Sequence, residues 1–185
     1  TAKRLSDLYI GTLLLFLKRW LEMFKHSLVY SVMEDYLEID KETKSKIKKF
    51  KMYKDKNIPS MNLNNFWNVE EKEKLKNLLN LKFKKLCLKY NFKVKDCWIQ
   101  KYLKNSYHSL HTHSFDKHSF VWFIEGSEKS SPIKFFDVGW PLINTNQFIE
   151  IPFKPGTFLI FPGFLPHEVQ VNNSHNRLIV SGNVI

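Results

Sequence analysis

The chain has 185 residues, 43% of them hydrophobic and 15% aromatic, which is material for one domain with a sizeable core. Its net charge of +11 is uneven, because residues 1–104 carry 24 Lys+Arg against 12 Asp+Glu whereas residues 105–185 carry 5 against 6. The two cysteines, Cys87 and Cys97, form no CxxC pair and are too few for a disulfide framework, so a disulfide-stapled scaffold is excluded and a reducing, cytoplasmic home is expected. The longest apolar stretch, Leu8 to Leu17, is about half of the roughly 20 residues that cross a bilayer, so no membrane span is expected. Lys18, Arg19 and Trp20 follow it where small residues would mark a signal-peptide cleavage site, which argues against secretion.

In chain order, Asp7 to Glu22 is leucine-rich and long enough for a helix, giving an N-terminal helical extension over residues 1–22. Phe24 to Ile39 mixes β-branched and aromatic residues and predicts a strand followed by a turn. The run from Lys41 to Lys56 holds lysines without arginine and with few aromatics. Arginine forks are the usual readers of bases and phosphates, so this stretch predicts a solvated face and no specific nucleic-acid partner. Asn65 is placed to cap a helix in which Leu75, Leu78, Leu79, Leu86 and Leu88 alternate with charges, giving helical support at about 65–91. After Asn91 the pattern changes to short strands: 97–103, 119–125, 133–138, 147–153, 156–162, 167–171 and 177–184, divided by GSEKSSP, KPG, PGFLP and NNSHN. Seven or eight strands in that space predict a mainly β protein, a barrel or sandwich preceded by helices, with residues 23–185 as a single domain.

Four of the seven histidines lie between His108 and His118. Residues i and i+2 of a strand share a face, so His111 and His113 are expected to present two imidazoles side by side as metal donors. A third donor must come from His167, at the start of a strand, or His175, in an evident turn. A pair of histidines alone is more often a loop accident than a ligand pair. Arg177 changes the weighing: it is one of only three arginines in a lysine-rich chain, stands ten residues after His167, and opens the last strand with a planar fork suited to a carboxylate. Ser181 shares its strand face. Three histidines with such an arginine describe a site for a metal and an acidic cosubstrate.

The combination YHSLHTHSFDKHSFVWFIEG, KPGTFLIFPGFLPHEVQVN and RLIVSGNV resembles the 2-oxoglutarate and Fe(II)-dependent oxygenases related to prolyl hydroxylases, of the type found in marine bacteria and phages. The resemblance implies a double-stranded β-helix, the jelly-roll barrel also used by cupins. It implies Fe(II) at His111 and His167, and 2-oxoglutarate held through its distal carboxylate by Arg177, with Ser181 as a further contact; Tyr102 and Trp98, on the strand leading in, are expected in the core, the 2-oxoglutarate pocket being the alternative place for Tyr102. The implied partners are 2-oxoglutarate, O2 and a peptidyl (proline-like) or small-molecule substrate that is hydroxylated with release of succinate and CO2. In the wider superfamily the triad is two histidines and a carboxylate, but here His113 stands where the aspartate would be. Asp116 is the alternative third ligand, disfavoured because its odd offset from His111 puts it on the opposite face or in a turn. The other reading is a cupin-type three-histidine protein, which has no need for Arg177. His108 and His118 are expected at the surface or supporting the ligands.

Overall fold

The computed structural model describes residues 31–53, 66–138, 148–174 and 176–185. The expected helix over residues 7–22 lies outside them, as does His175. The strands are β1 (Met33–Tyr36), β2 (Met52–Tyr53), β3 (Phe66–Val69), β4 (Val94–Tyr102), β5 (His108–His111), β6 (His118–Glu125), β7 (Ile133–Phe136), β8 (Phe148–Ile151), β9 (Thr157–Pro162), β10 (His167–Val169) and β11 (Arg177–Val184). They build a seven-stranded sheet in the order β1-β9-β6-β11-β4-β3-β2 and a four-stranded sheet in the order β5-β10-β7-β8. Pairing is antiparallel throughout. The two sheets meet through aromatic side chains, Phe135 of β7 against Phe161 of β9 at 4.8 Å between ring centroids, and Phe161 against His167 of β10 at 4.8 Å.

Among the described residues, three helices accompany the sheets. The first, α1 (Lys41–Lys49), is the unexpected one, since its lysine run has little apolar periodicity. Local chemistry accounts for it. The Asp40 side chain caps its N-terminus by accepting from the Thr43 amide at 2.7 Å, three lysines in its last turn face the negative end of the helix dipole, and Thr43 and Ile47 are its buried anchors. Lys48 and Lys44 pair with Glu125 at 2.9 and 3.5 Å, so part of this basic run is occupied by the protein's own carboxylate.

Instead of one helix capped by Asn65, the chain forms β3, then α2 (Lys72–Lys82) and α3 (Lys84–Tyr90), broken at Phe83. The break has a packing reason. Phe83 is fully buried and sets its ring edge-on against Phe120, Trp122 and Phe158 at 5.4, 5.4 and 4.8 Å, plugging the helices onto the outer face of the larger sheet. With Leu75, Leu79 and Leu86 on the helices and Val94, Cys97, Ile99, Leu178 and Val180 on the strands, it forms the main core. Among the described residues no helix is long and apolar enough to cross a membrane.

This arrangement decides what the inner face holds. Outward residues of β11 (Leu178, Val180) pack under the helices, so Arg177, Ile179 and Ser181 turn inward by strand alternation. Register places Tyr102 opposite Arg177, Gln100 opposite Ile179 and Trp98 opposite Ser181.

Candidate metal centre

The smaller sheet supplies two of the candidate donors by register alone. His111, the last residue of β5, is paired directly with His167, the first of β10, so their side chains leave the sheet on one side with ring centroids 4.2 Å apart. His113 arrives differently. The strand expected to carry it stops at His111, and His113 lies in the following turn, where its amide donates to the Gly163 carbonyl at 2.6 Å. Gly163 in turn donates to the Lys117 carbonyl at 2.8 Å. A Cβ on Gly163 would press on the Ser114 carbonyl oxygen and lie 2.9 Å from that of Lys117, so the Pro162-Gly163 corner must lack a side chain for the 113–117 turn to seat against it. One ligand atom from each of the three histidines lies within 4.8 Å of the others.

Two of the tautomers are fixed by the backbone. His111 Nδ1 is 2.7 Å from the Ser109 carbonyl and His167 Nδ1 is 2.9 Å from that of Leu165. A carbonyl only accepts, so both rings carry their proton on Nδ1 and present an Nε2 lone pair, as metal-binding histidines held by a backbone carbonyl typically do. Burial depresses all three rings: His113 to about 4, His111 downward, and His167 far below its ordinary value, with the neighbouring histidines adding to the effect on His113 and His167. At neutral pH the group is uncharged and ready to donate, as a divalent cation requires.

Asp116 stands apart. It is exposed, accepts a hydrogen bond from Ser114 Oγ, and is not part of the three-histidine group.

Deeper in the barrel is Arg177, 0% exposed. Its guanidinium lies over the faces of Tyr102, Phe153 and Phe123, at 4.4, 5.2 and 5.9 Å from their centroids, and among the described residues none of Nε, Nη1 and Nη2 has a hydrogen-bond partner. Burial lowers its pKa to about 10, still charged at neutral pH. Buried polar groups are almost always satisfied, and a buried unpaired cation is among the most costly exceptions.

Three solved structures share this architecture. HygX from Streptomyces hygroscopicus, with nickel, 2-oxoglutarate and hygromycin B bound, has a TM-score of 0.62 at 9% identity, covering 89% of this chain and 85% of its own. An oxidoreductase of the 2OG-Fe(II) oxygenase family from Burkholderia pseudomallei gives 0.61 at 11% identity, with 85% and 84% covered. A prolyl-4-hydroxylase from Pseudomonas putida gives 0.52 at 11% identity, with 84% and 92% covered. The fold is that of the 2-oxoglutarate–Fe(II) oxygenases. No family profile matches the sequence, and neither does any curated protein.

Within this oxygenase fold, a cavity of about 20 Å³ borders the three histidines and is lined further by Gln100, Tyr102, His108 and Ser181, with Arg177 on the face of the Tyr102 ring. That is room for about one water, so a five-carbon diacid enters only as side chains shift. Of the residues singled out from the sequence, Tyr102 is fully buried beneath Arg177, and Ser181 borders the cavity while donating to Gln100 Oε1 at 3.2 Å. His118 is exposed. Gln100 was overlooked. Its signal was its position two residues before Tyr102, which puts a buried amide on the same face of β4. Of the two places expected for His108, at the surface or supporting the ligands, the structure has the second: it stacks on His111 at 4.0 Å with the rings 13° apart.

Proposed function

We propose that this protein is a 2-oxoglutarate- and Fe(II)-dependent oxygenase that hydroxylates a C–H bond of a peptidyl or small-molecule substrate. The observation that carries the reading is the buried guanidinium of Arg177, without a hydrogen-bond partner among the described residues, on the same barrel interior as three neutral histidines. His111, His113 and His167 would hold the metal, and Arg177 would take the distal carboxylate of 2-oxoglutarate through its fork. With iron bound there, the centre would supply the O2 chemistry by which 2-oxoglutarate, O2 and a C–H become succinate, CO2 and C–OH.

The chain's own contributions are positional and electrostatic. The Ser109 and Leu165 carbonyls hold the two cross-strand imidazoles in the ligating tautomer. The rings of Tyr102, Phe123 and Phe153 keep water from the guanidinium, so that a carboxylate is the partner able to satisfy it. Both termini of the cosubstrate are then fixed before a substrate arrives.

A second reading, a cupin-type metal protein, is favoured by the all-histidine donor set. Arg177 separates the two. The test is succinate formation from 2-oxoglutarate by the iron-reconstituted protein, alone and then with proline-containing peptides and small-molecule candidates. Iron-dependent succinate that disappears in His111→Ala supports the oxygenase, whereas a metal-loaded chain that neither binds nor turns over 2-oxoglutarate supports the cupin.

A further inference from the structure

Four histidines crowd this end of the barrel, yet only three form the donor group, and the hydrogen bonds around the fourth explain the difference. His108 Nδ1 lies 3.1 Å from Gln100 Nε2 and 3.4 Å from the Tyr102 hydroxyl, and Gln100 Oε1 lies 3.2 Å from Ser181 Oγ. The Ser181 and Tyr102 hydroxyls are both buried, and each needs an acceptor for its proton. Only one arrangement serves both. Ser181 donates to the Gln100 oxygen, which turns the Gln100 amide nitrogen toward His108, and His108 Nδ1 accepts from that amide and from Tyr102. If the amide were reversed, Gln100 would accept from a protonated His108 Nδ1, and both buried hydroxyls would lose these acceptors.

The ring of His108 is therefore fixed with its proton on Nε2, the opposite tautomer to His111 and His167. A protonated Nε2 cannot ligate a metal, and Nδ1 is already occupied, which excludes His108 from the donor set. It becomes a hydrogen-bond donor instead. Among the described residues its Nε2 has no hydrogen-bond partner, and the ring borders the cavity between the histidine trio and Tyr102, on whose face Arg177 lies.

We infer that His108 is a binding residue for the oxo-acid ligand of this centre, donating from Nε2–H to one of its oxygens, and that Gln100 is the positioning residue that fixes the donating tautomer. The inference rests on the oxygenase reading for its ligand, but the tautomer can be measured without it. Nitrogen NMR of the ¹⁵N-histidine-labelled full chain, with His108 assigned by the signal lost in His108→Phe, should show His108 protonated on Nε2. Gln100→Glu keeps the side chain's shape while replacing the amide donor by an acceptor, and should move the His108 proton to Nδ1. A wild-type His108 protonated on Nδ1, or a tautomer indifferent to Gln100→Glu, overturns the relay.

The ligand is tested by calorimetric titration of 2-oxoglutarate into the Co(II)-loaded protein. His108→Phe retains an aromatic ring against His111 but has no donor. It should bind Co(II) with unchanged stoichiometry and 2-oxoglutarate about 10- to 100-fold more weakly, the usual effect of losing a hydrogen bond to a charged group. If that variant fails to fold, Gln100→Glu carries the same titration, with Gln100→Leu removing the amide donor without adding charge, and weaker 2-oxoglutarate binding is expected in both. Unchanged affinity in metal-loaded His108→Phe, or in both Gln100 variants, sinks the donor while leaving the oxygenase reading intact. A wild-type protein that binds Co(II) but not 2-oxoglutarate sinks both.

Discussion

Replacing Arg177 with methionine should make the unliganded protein more stable. In the fold its pKa falls from 12.5 to about 10 through burial. At about 1.4 kcal/mol per unit this amounts to about 3 kcal/mol against the charged form. The direction follows from linkage. A base with a depressed folded pKa is charged in both states at neutral pH, so the whole penalty is present there and is relieved only as pH rises from about 10 toward 12.5. Stacking on Tyr102 and Phe153 at 4.4 and 5.2 Å returns about 1 kcal/mol. The net is about 2 kcal/mol of destabilisation from the native guanidinium, and an apolar side chain of similar length removes it. For a domain of this size each kcal/mol shifts the melting temperature by about 2–4 °C, so Arg177→Met should melt about 4–8 °C higher than wild type at pH 7. Added 2-oxoglutarate with Co(II) should then raise the wild-type melting temperature and leave the variant's at its value with Co(II) alone. A methionine variant that melts at or below wild type would mean that the guanidinium is a structural tie, and the carboxylate-clamp argument would fall with it.

Alanine at His111 or His167 should abolish stoichiometric Co(II) or Ni(II) binding by equilibrium dialysis, while Asp116→Ala, at an exposed carboxylate held by Ser114, should leave it intact. Gly163→Ala should weaken metal binding at least tenfold and lower stability by about 1–3 kcal/mol, because its Cβ displaces the turn that presents His113; unchanged metal affinity would show that this corner does not position His113. The metal-free protein should lose stability on acidification from about pH 6.5 toward pH 4, since His108 and His113 are held neutral in the fold at about 3 and 4 while the unfolded chain takes up protons near 6.5; a flat melting temperature across that window would contradict their burial. DNA or RNA should bind only weakly and be released steeply by salt, as net charge alone dictates, and a salt-resistant complex would refute the solvated-face reading of α1.

Most strands after Asn91 were legible because they are short runs with β-branched or aromatic residues flanked by Gly, Pro or Asn, and the two buried faces of β6 and β9 leave little choice of type, whereas β5, with the sequence HSLH, offers no such run. What could not be read is what depends on partners distant in the chain. The Phe83 break is set by three rings on β6 and β9, not by any residue within the helix. The helical state of Lys41–Lys49 rests on a cap and on Glu125 across the fold. At the site, the spacing of His111, His113 and His167 with Arg177 was visible, but the face argument for His113 placed it on a strand that ends two residues earlier. The tautomers were out of reach altogether, because they are decided by two backbone carbonyls, one amide and two hydroxyls that only the folded register brings together.

The position of β11 has a consequence for how the protein is made. It follows both of its neighbours in chain order, yet it runs between β4 and β6 near the middle of the larger sheet. During synthesis those two strands have exposed, unpaired edges until residues 177–184 leave the ribosome, and the barrel closes only then. A chain that stops short of Arg177 thus presents an open sheet, a ready template for a stray strand. The same geometry makes a synthetic peptide of residues 177–185 a candidate to complete a chain truncated before Arg177, restoring the sheet and the guanidinium in a single binding event.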